Sequence, residues 1–306
     1  MICPKCREEI DVEDIDEPDI LYHYTSQKGL LGILQKNKLW MTDIFYLNDS
    51  SELTHTLNLV KSEFKKREEL LPPYRGIGGV YPLAQEDEIN NKIHDTFKLI
   101  KLFIEIYSVV INHDTRIKNY VFSLSQREDD LSQWRSYCPP KGGFSIGFDY
   151  KRLVSILNKN ERYLIKECIY DSKVKQELIN LLLDPISNNI EVKKNFDKNT
   201  VSFDVVVKIM FYSSFLKDES FKDEQEYRII NNGSNIDKIN HCEGKSMIIP
   251  YIEFLPVDDD KLPISKIIVG PTPHPELSKL SVQSLLKSEK YEGVEVEISK
   301  IPYRSW

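Results

Sequence analysis

The chain has 306 residues, with 41 Lys or Arg against 48 Asp or Glu, for a formal net charge of −7. That balance speaks against a sequence-independent grip on long nucleic acid, which Lys and Arg on phosphates drive. With 41% hydrophobic and 29% charged residues, a globular protein with a real core is expected, and no run of about 18 apolar residues predicts a membrane span.

Residues 1–18 read as a mobile leader, in which Cys3-Pro-Lys-Cys6 precedes an acidic stretch. It lacks the basic start and apolar middle of a secretory signal, so a cytoplasmic location is expected. The five cysteines, at 3, 6, 138, 168 and 242, are an odd number without a disulfide framework, and reduced thiols are expected. Cys3 and Cys6 have zinc-knuckle spacing but supply only two of the four ligands of a structural zinc site. No second pair follows, so no metal is assigned.

In chain order, ILYHYT (20–25) reads as a strand and QKGLLGILQKN (27–37) as a short helix with Leu30, Leu31, Ile33 and Leu34 on its apolar side. KLWMTD (38–43) is a second strand. A helix follows from Asn48, capped by Asp49 or Ser50. A Pro- and Gly-bearing segment (71–85) breaks it before a long helix at about 87–112, apolar at Ile89, Ile93, Phe97, Ile100, Phe103 and Ile104. Beyond it, strands are expected at 120–125, 143–149, 163–170, 226–232, 246–255, 265–271 and 294–301, with helices near 172–188, 200–216 and 275–288. The expected fold is α+β with a mixed or antiparallel sheet, a single domain over 19–306 carrying a helical insertion at about 50–115.

Side chains two apart on a strand share a face. His23 should therefore stand with Leu21 and Thr25, leaving Tyr22 and Tyr24 on an opposite, packed face. Ser123 and Ser125 share a face, and so should Glu224, Glu226 and Arg228. An ordinary half-exposed antiparallel sheet shows the same alternation. Against it, two glutamates side by side repel, and glutamate is a poor strand former. Residues that break local preference often serve a site, although Arg228 on the same face could relieve the repulsion.

In DDLSQWRSYCPPKGGFSIGF, Asp130 can cap a short helix on which Trp134 and Tyr137 lie three apart, on one side. Pro139 and Pro140 stop it, and Gly142–Gly143 turn the chain into a strand containing Gly147. An aromatic platform beside a glycine-rich turn suits the stacking of a flat ring. Equally, Trp134 can be a core anchor and Gly147 can accommodate a large neighbour. No phosphate-binding loop or nucleophile elbow is present.

Taken in order, LYHYTSQKGLLGILQKNKLWMTDIFYLNDSSE, FSLSQREDDLSQWRSYCPPKGGFSIGFD, FLKDESFKDEQEYRII and ISKIIVGP resemble the bacterial family catalogued as domain of unknown function 2971, over roughly residues 20–271. The family usually has Trp where Phe221 stands and Pro where Ser50 stands. A more distant resemblance is to the ADP-ribosyltransferase fold, through His23-x-Thr25, the helix behind it, the Ser-x-Ser strand and the late Glu-x-Glu strand. That resemblance implies NAD as substrate, with His23 and Thr25 gripping it, Tyr137 or Trp134 stacking on nicotinamide, and Glu226 or Glu224 catalytic. Tyr24, Ser123, Ser125 and Arg228 complete the cofactor-binding candidates. A fixed carboxylate would oppose the positive charge that develops on the ribose, and a neighbouring one could take a proton.

The expected function is thus NAD consumption, by transfer or hydrolysis, of the kind found in toxins and phage-defence effectors. The acceptor is expected to be a protein or small molecule. The alternative is a non-catalytic regulatory module that binds a nucleotide or a protein in the same cleft.

Overall fold

The computed structural model describes residues 17–47, 52–74, 85–110, 118–140, 142–188, 198–231, 236, 238–244, 246–256 and 260–303. The leader through residue 16 with Cys3 and Cys6, the expected caps Asp49 and Ser50, and most of the Pro- and Gly-bearing segment lie outside them. In chain order the elements are β1 (Ile20–Thr25), α1 (Gln27–Lys36), β2 (Leu39–Asp43), α2 (Glu52–Leu70), α3 (Gln85–Val110), β3 (Tyr120–Ser125), α4 (Leu131–Tyr137), β4 (Phe144–Asp149), α5 (Tyr150–Asn158) and β5 (Tyr163–Glu167). There follow α6 (Ser172–Asn188), α7 (Lys198–Ser213), β6 (Glu226–Asn231), β7 (Asn240–Glu243), β8 (Ile248–Phe254), β9 (Ile264–Val269), α8 (Pro275–Ser288) and β10 (Glu295–Ile298). The fold is α+β with a mixed sheet.

The chain divides into two compact units, one of residues 1–46, 119–168 and 221–306, the other of 47–118 and 169–220. The segment expected as a helical insertion at about 50–115 thus shares its unit with a second one, 169–220.

The first unit holds the sheet, in the order β10-β9-β4-β1-β3-β2-β8-β7, with β6 on the second edge of β3 and β5 beyond it. Among the described strands, β9 and β10 alone pair in parallel; the other strand pairs are antiparallel. Local chemistry sets the helix ends. Ser26 caps α1 by accepting from the Gly29 N–H, and Asn37 closes it in the left-handed region at φ 52°. The Asn37 side chain then accepts from the Leu262 N–H and the Tyr291 hydroxyl, tying the turn to distant segments.

One sheet face carries the main core. Leu21, Phe122, Leu124, Ile146, Phe148, Tyr227 and Ile229 pack there with Leu30, Ile33 and Leu34 of α1 and Leu153, Ile156 and Leu157 of α5. A smaller cluster of Tyr22, Tyr24, Trp134 and Ile268 forms elsewhere in the sheet.

The second unit consists of α2, α3, α6 and α7. Phe64 of α2 meets Phe97 of α3 edge-on, with ring centroids 5.3 Å apart. Arg67 of α2 bonds Glu63 one turn back at 3.2 Å and Asp184 of α6 at 2.8 Å. Among the described residues, no helix is long and apolar enough to cross a membrane.

Candidate functional site

β3 lends one edge to two strands. At one end Ser125 pairs with Tyr22 of β1, and at the other Tyr120 and Val121 pair with Asp43 and Thr42 of β2. Beyond the Tyr22–Ser125 pair, β1 and β3 part. The Ser123 carbonyl would lose a ladder partner there, and a buried carbonyl needs one. His23 supplies it: its Nδ1 lies 2.9 Å from the Ser123 oxygen. A carbonyl only accepts, so Nδ1 carries the proton and Nε2 is left as an acceptor.

The His23 ring also stacks on Phe122, at 4.2 Å between centroids. Burial pushes its pKa down to about 4, against the smaller opposing pull of the Ser123 carbonyl. The ring is therefore neutral at pH 7. Between about pH 6.5 and 4 the unfolded imidazole binds a proton that the folded one refuses, so stability falls as the pH falls through that window. His23→Asn, which cannot titrate, is expected to lessen the stability lost between pH 7 and 4.5 by about 2–3 kcal/mol. Urea unfolding at both pH values measures this; equal losses in variant and wild type would refute it.

The parting of β1 and β3 borders a cavity of about 50 Å³, lined by Tyr22, His23, Tyr24, Ser123, Leu124, Ser125, Gln133, Tyr137, Glu224 and Glu226. Seven of the ten residues named from the sequence meet there. The other three do not. Thr25 faces α1, where a Cβ added at Gly29 would collide with its hydroxyl. Trp134 is only 3% exposed and does not line this cavity; of the two aromatic candidates, Tyr137 is the one that does. Arg228 lies behind Glu226 rather than on the cavity wall.

Register corrects the expected faces. Cross-strand partners share a face, and Tyr22, Ser125 and Glu226 are aligned across β1, β3 and β6. Tyr22 therefore stands with Glu226, whereas His23 belongs to the opposite, core-facing side and reaches the cavity only because the strands part. Tyr22 and Tyr24 are packed as expected, but on the face of the carboxylates. The Tyr22 hydroxyl donates to Glu128 at 3.0 Å, and the Tyr24 hydroxyl to the Arg127 carbonyl at 2.7 Å. Gly147 makes room for Tyr22, since a Cβ there would come within 3.0 Å of the ring.

Glu224 and Glu226 do not share a strand face either. Glu224 ends a 3-10 turn, Glu219–Glu224, and Gln225 takes the left-handed region at φ 43° before β6 begins at Glu226. The repulsion expected of neighbouring carboxylates is thereby avoided. Arg228 holds Glu226 with two hydrogen bonds, Nε to Oε1 at 2.8 Å and a terminal nitrogen to Oε2 at 3.1 Å, both side chains buried. Glu224 lies at the rim, where the Tyr137 hydroxyl donates to Oε1 at 3.2 Å. Ser125 fixes this turn by donating to the Glu224 carbonyl at 2.6 Å.

Residues 133–229 match the family model described as Protein of unknown function (DUF2971). The matched span carries Gln133, Tyr137, Glu224 and Glu226. The His23 and Ser123 strands lie outside it. No curated protein and no solved structure matches the chain.

Reading by residue type passed over Gln133. It was hidden by its neighbour Trp134, although its spacing of four from Tyr137 puts both on one side of α4. Burial pushes the thiol of Cys138, next to the site, up to about 12, which disfavours the reactive thiolate. Among the described residues, no group of three His, Cys, Asp or Glu could hold a metal ion.

Proposed function

We propose that the chain consumes NAD, breaking its nicotinamide–ribose bond at the parting of β1 and β3. The observation that carries this reading is the meeting of Ser123, Tyr137, Glu224 and Glu226 around one cavity; His23 reaches it from the opposite face of the sheet, against the shared face that the reading expected.

In the reaction, the bond between ribose C1′ and the pyridinium nitrogen breaks and its electron pair leaves with nicotinamide. The oxygen of water or of an acceptor hydroxyl bonds C1′ and gives up its proton to a carboxylate. Glu226, held rigid by Arg228, is the preorganised charge facing the developing oxocarbenium ion. Glu224, at the rim, is the proton acceptor. A cavity of 50 Å³ has room for only a few water molecules, so NAD enters once the Tyr137–Glu224 hydrogen bond opens.

Incubation with NAD tests this by release of nicotinamide. Glu226→Gln is expected to lower the rate by about 10²-fold or more, and equal release by both forms would remove Glu226 from its role. One observation favours a second reading, a regulatory module that binds a nucleotide without cleaving it: Arg228 offsets the Glu226 charge that catalysis would use. NAD binding without nicotinamide release by the wild type would support that reading.

A further inference from the structure

Gln133 stands out among the residues around the cavity. It is only 5% exposed, it lines the cavity, and its backbone N–H is spent on the Asp130 cap. Among the described residues its side-chain carboxamide has no hydrogen-bond partner. The carboxamide offers both donors and an acceptor to a partner in the cavity.

Tyr137 follows one turn later on α4 and is 38% exposed, so the helix presents a reading group and a flat ring together. The rim adds the Glu224 carboxylate, to which the Tyr137 hydroxyl donates. A flat face, a donor–acceptor edge and a negative charge are complementary to a planar cationic ring that bears a primary carboxamide.

We infer that Gln133 is a specificity-determining residue, which pairs with the carboxamide of such a ring while Tyr137 stacks on it. The inference rests on the NAD reading and deepens it. The nicotinamide end of the substrate lies against α4, and a ring carrying a carboxylate in place of the amide is rejected. A Gln carboxamide pairs with an amide through two complementary hydrogen bonds, whereas a carboxylate offers acceptors only and repels Glu224.

1-Methylnicotinamide is the probe, because it has the cationic carboxamide ring and no ribose to cleave. Titrated calorimetrically into the full chain, it is expected to bind at least about 10-fold more tightly than 1-methylnicotinate, a preference worth one to two hydrogen bonds. Gln133→Met, similar in length and without donors, is expected to erase the preference. Tyr137→Leu should weaken both probes and keep it, provided each variant retains the wild-type melting temperature. Equal affinity of the wild type for both probes, no binding of either, or a preference that survives in Gln133→Met would overturn the assignment. The two readings also fail separately. A Gln133-dependent preference without nicotinamide release from NAD overturns the cleavage and leaves the ring site; release without the preference does the reverse.

Discussion

Arg228→Met is expected to destabilise the protein by about 3–5 kcal/mol, the usual cost of stranding a buried charge. The guanidinium and the Glu226 carboxylate are both buried and joined by two hydrogen bonds. Methionine fills much of the arginine volume, so packing changes little. What is lost is the countercharge, and the carboxylate is left in a poorly solvated place on a central strand. The double variant Arg228→Met/Glu226→Gln removes both charges and should recover a large part of the loss. Denaturant unfolding of wild type, single and double variants measures this. If the single variant loses less than about 1 kcal/mol, the pair is no more than a surface ion pair in energy.

Trp134→Ala is expected to cost a similar amount, about 3–5 kcal/mol, from the cavity left behind. The indole meets Tyr24 edge-on at 4.7 Å, and it lies so close to Gly270 that a Cβ there would fall 2.6 Å from its Cζ3. Its Nε1 donates to Asp129 at 2.7 Å. Asp129 in turn accepts from the Ser299 hydroxyl and the Lys300 N–H, at 2.6 and 2.8 Å. Loss of the indole therefore loosens the hold on the segment after β10 as well as the cluster itself. Gly270→Ala should act through the same contact by displacing the ring, at about 1–3 kcal/mol. Thermal unfolding compares the two; an unaffected melting temperature in Trp134→Ala would refute the anchoring role.

Much of the strand and helix pattern was legible because apolar spacing and turn residues are local signals. The strand at 120–125 and the helix at 275–288 are of this kind. Which residues meet at the cavity was also largely legible, since His23, Ser123 and Glu226 stand out by residue type. Their faces were not. Alternation along one strand says nothing of its register against the next, and the Tyr22–Ser125–Glu226 alignment reversed the expected partnership of His23. The break between Glu224 and Glu226 was hidden for another reason. A left-handed Gln225 has none of the glycine or asparagine signature that usually marks such a conformation. Gln133 was missed because a carboxamide on a helix reads as solvated surface until its burial is known.

The shared edge of β3 places control of the site outside its walls. Where two strands divide one edge, the gap between them is set by how each is seated on the layer beneath. For β1 that seating is Leu21 against Leu30, Ile33 and Leu34 of α1, in the main core. Conservative changes in that helix can thus alter the aperture by tilting a strand, with every lining residue unchanged. The cavity behaves as a joint in a frame: its width belongs to the carpentry, and its chemistry to the few side chains that happen to stand in the doorway.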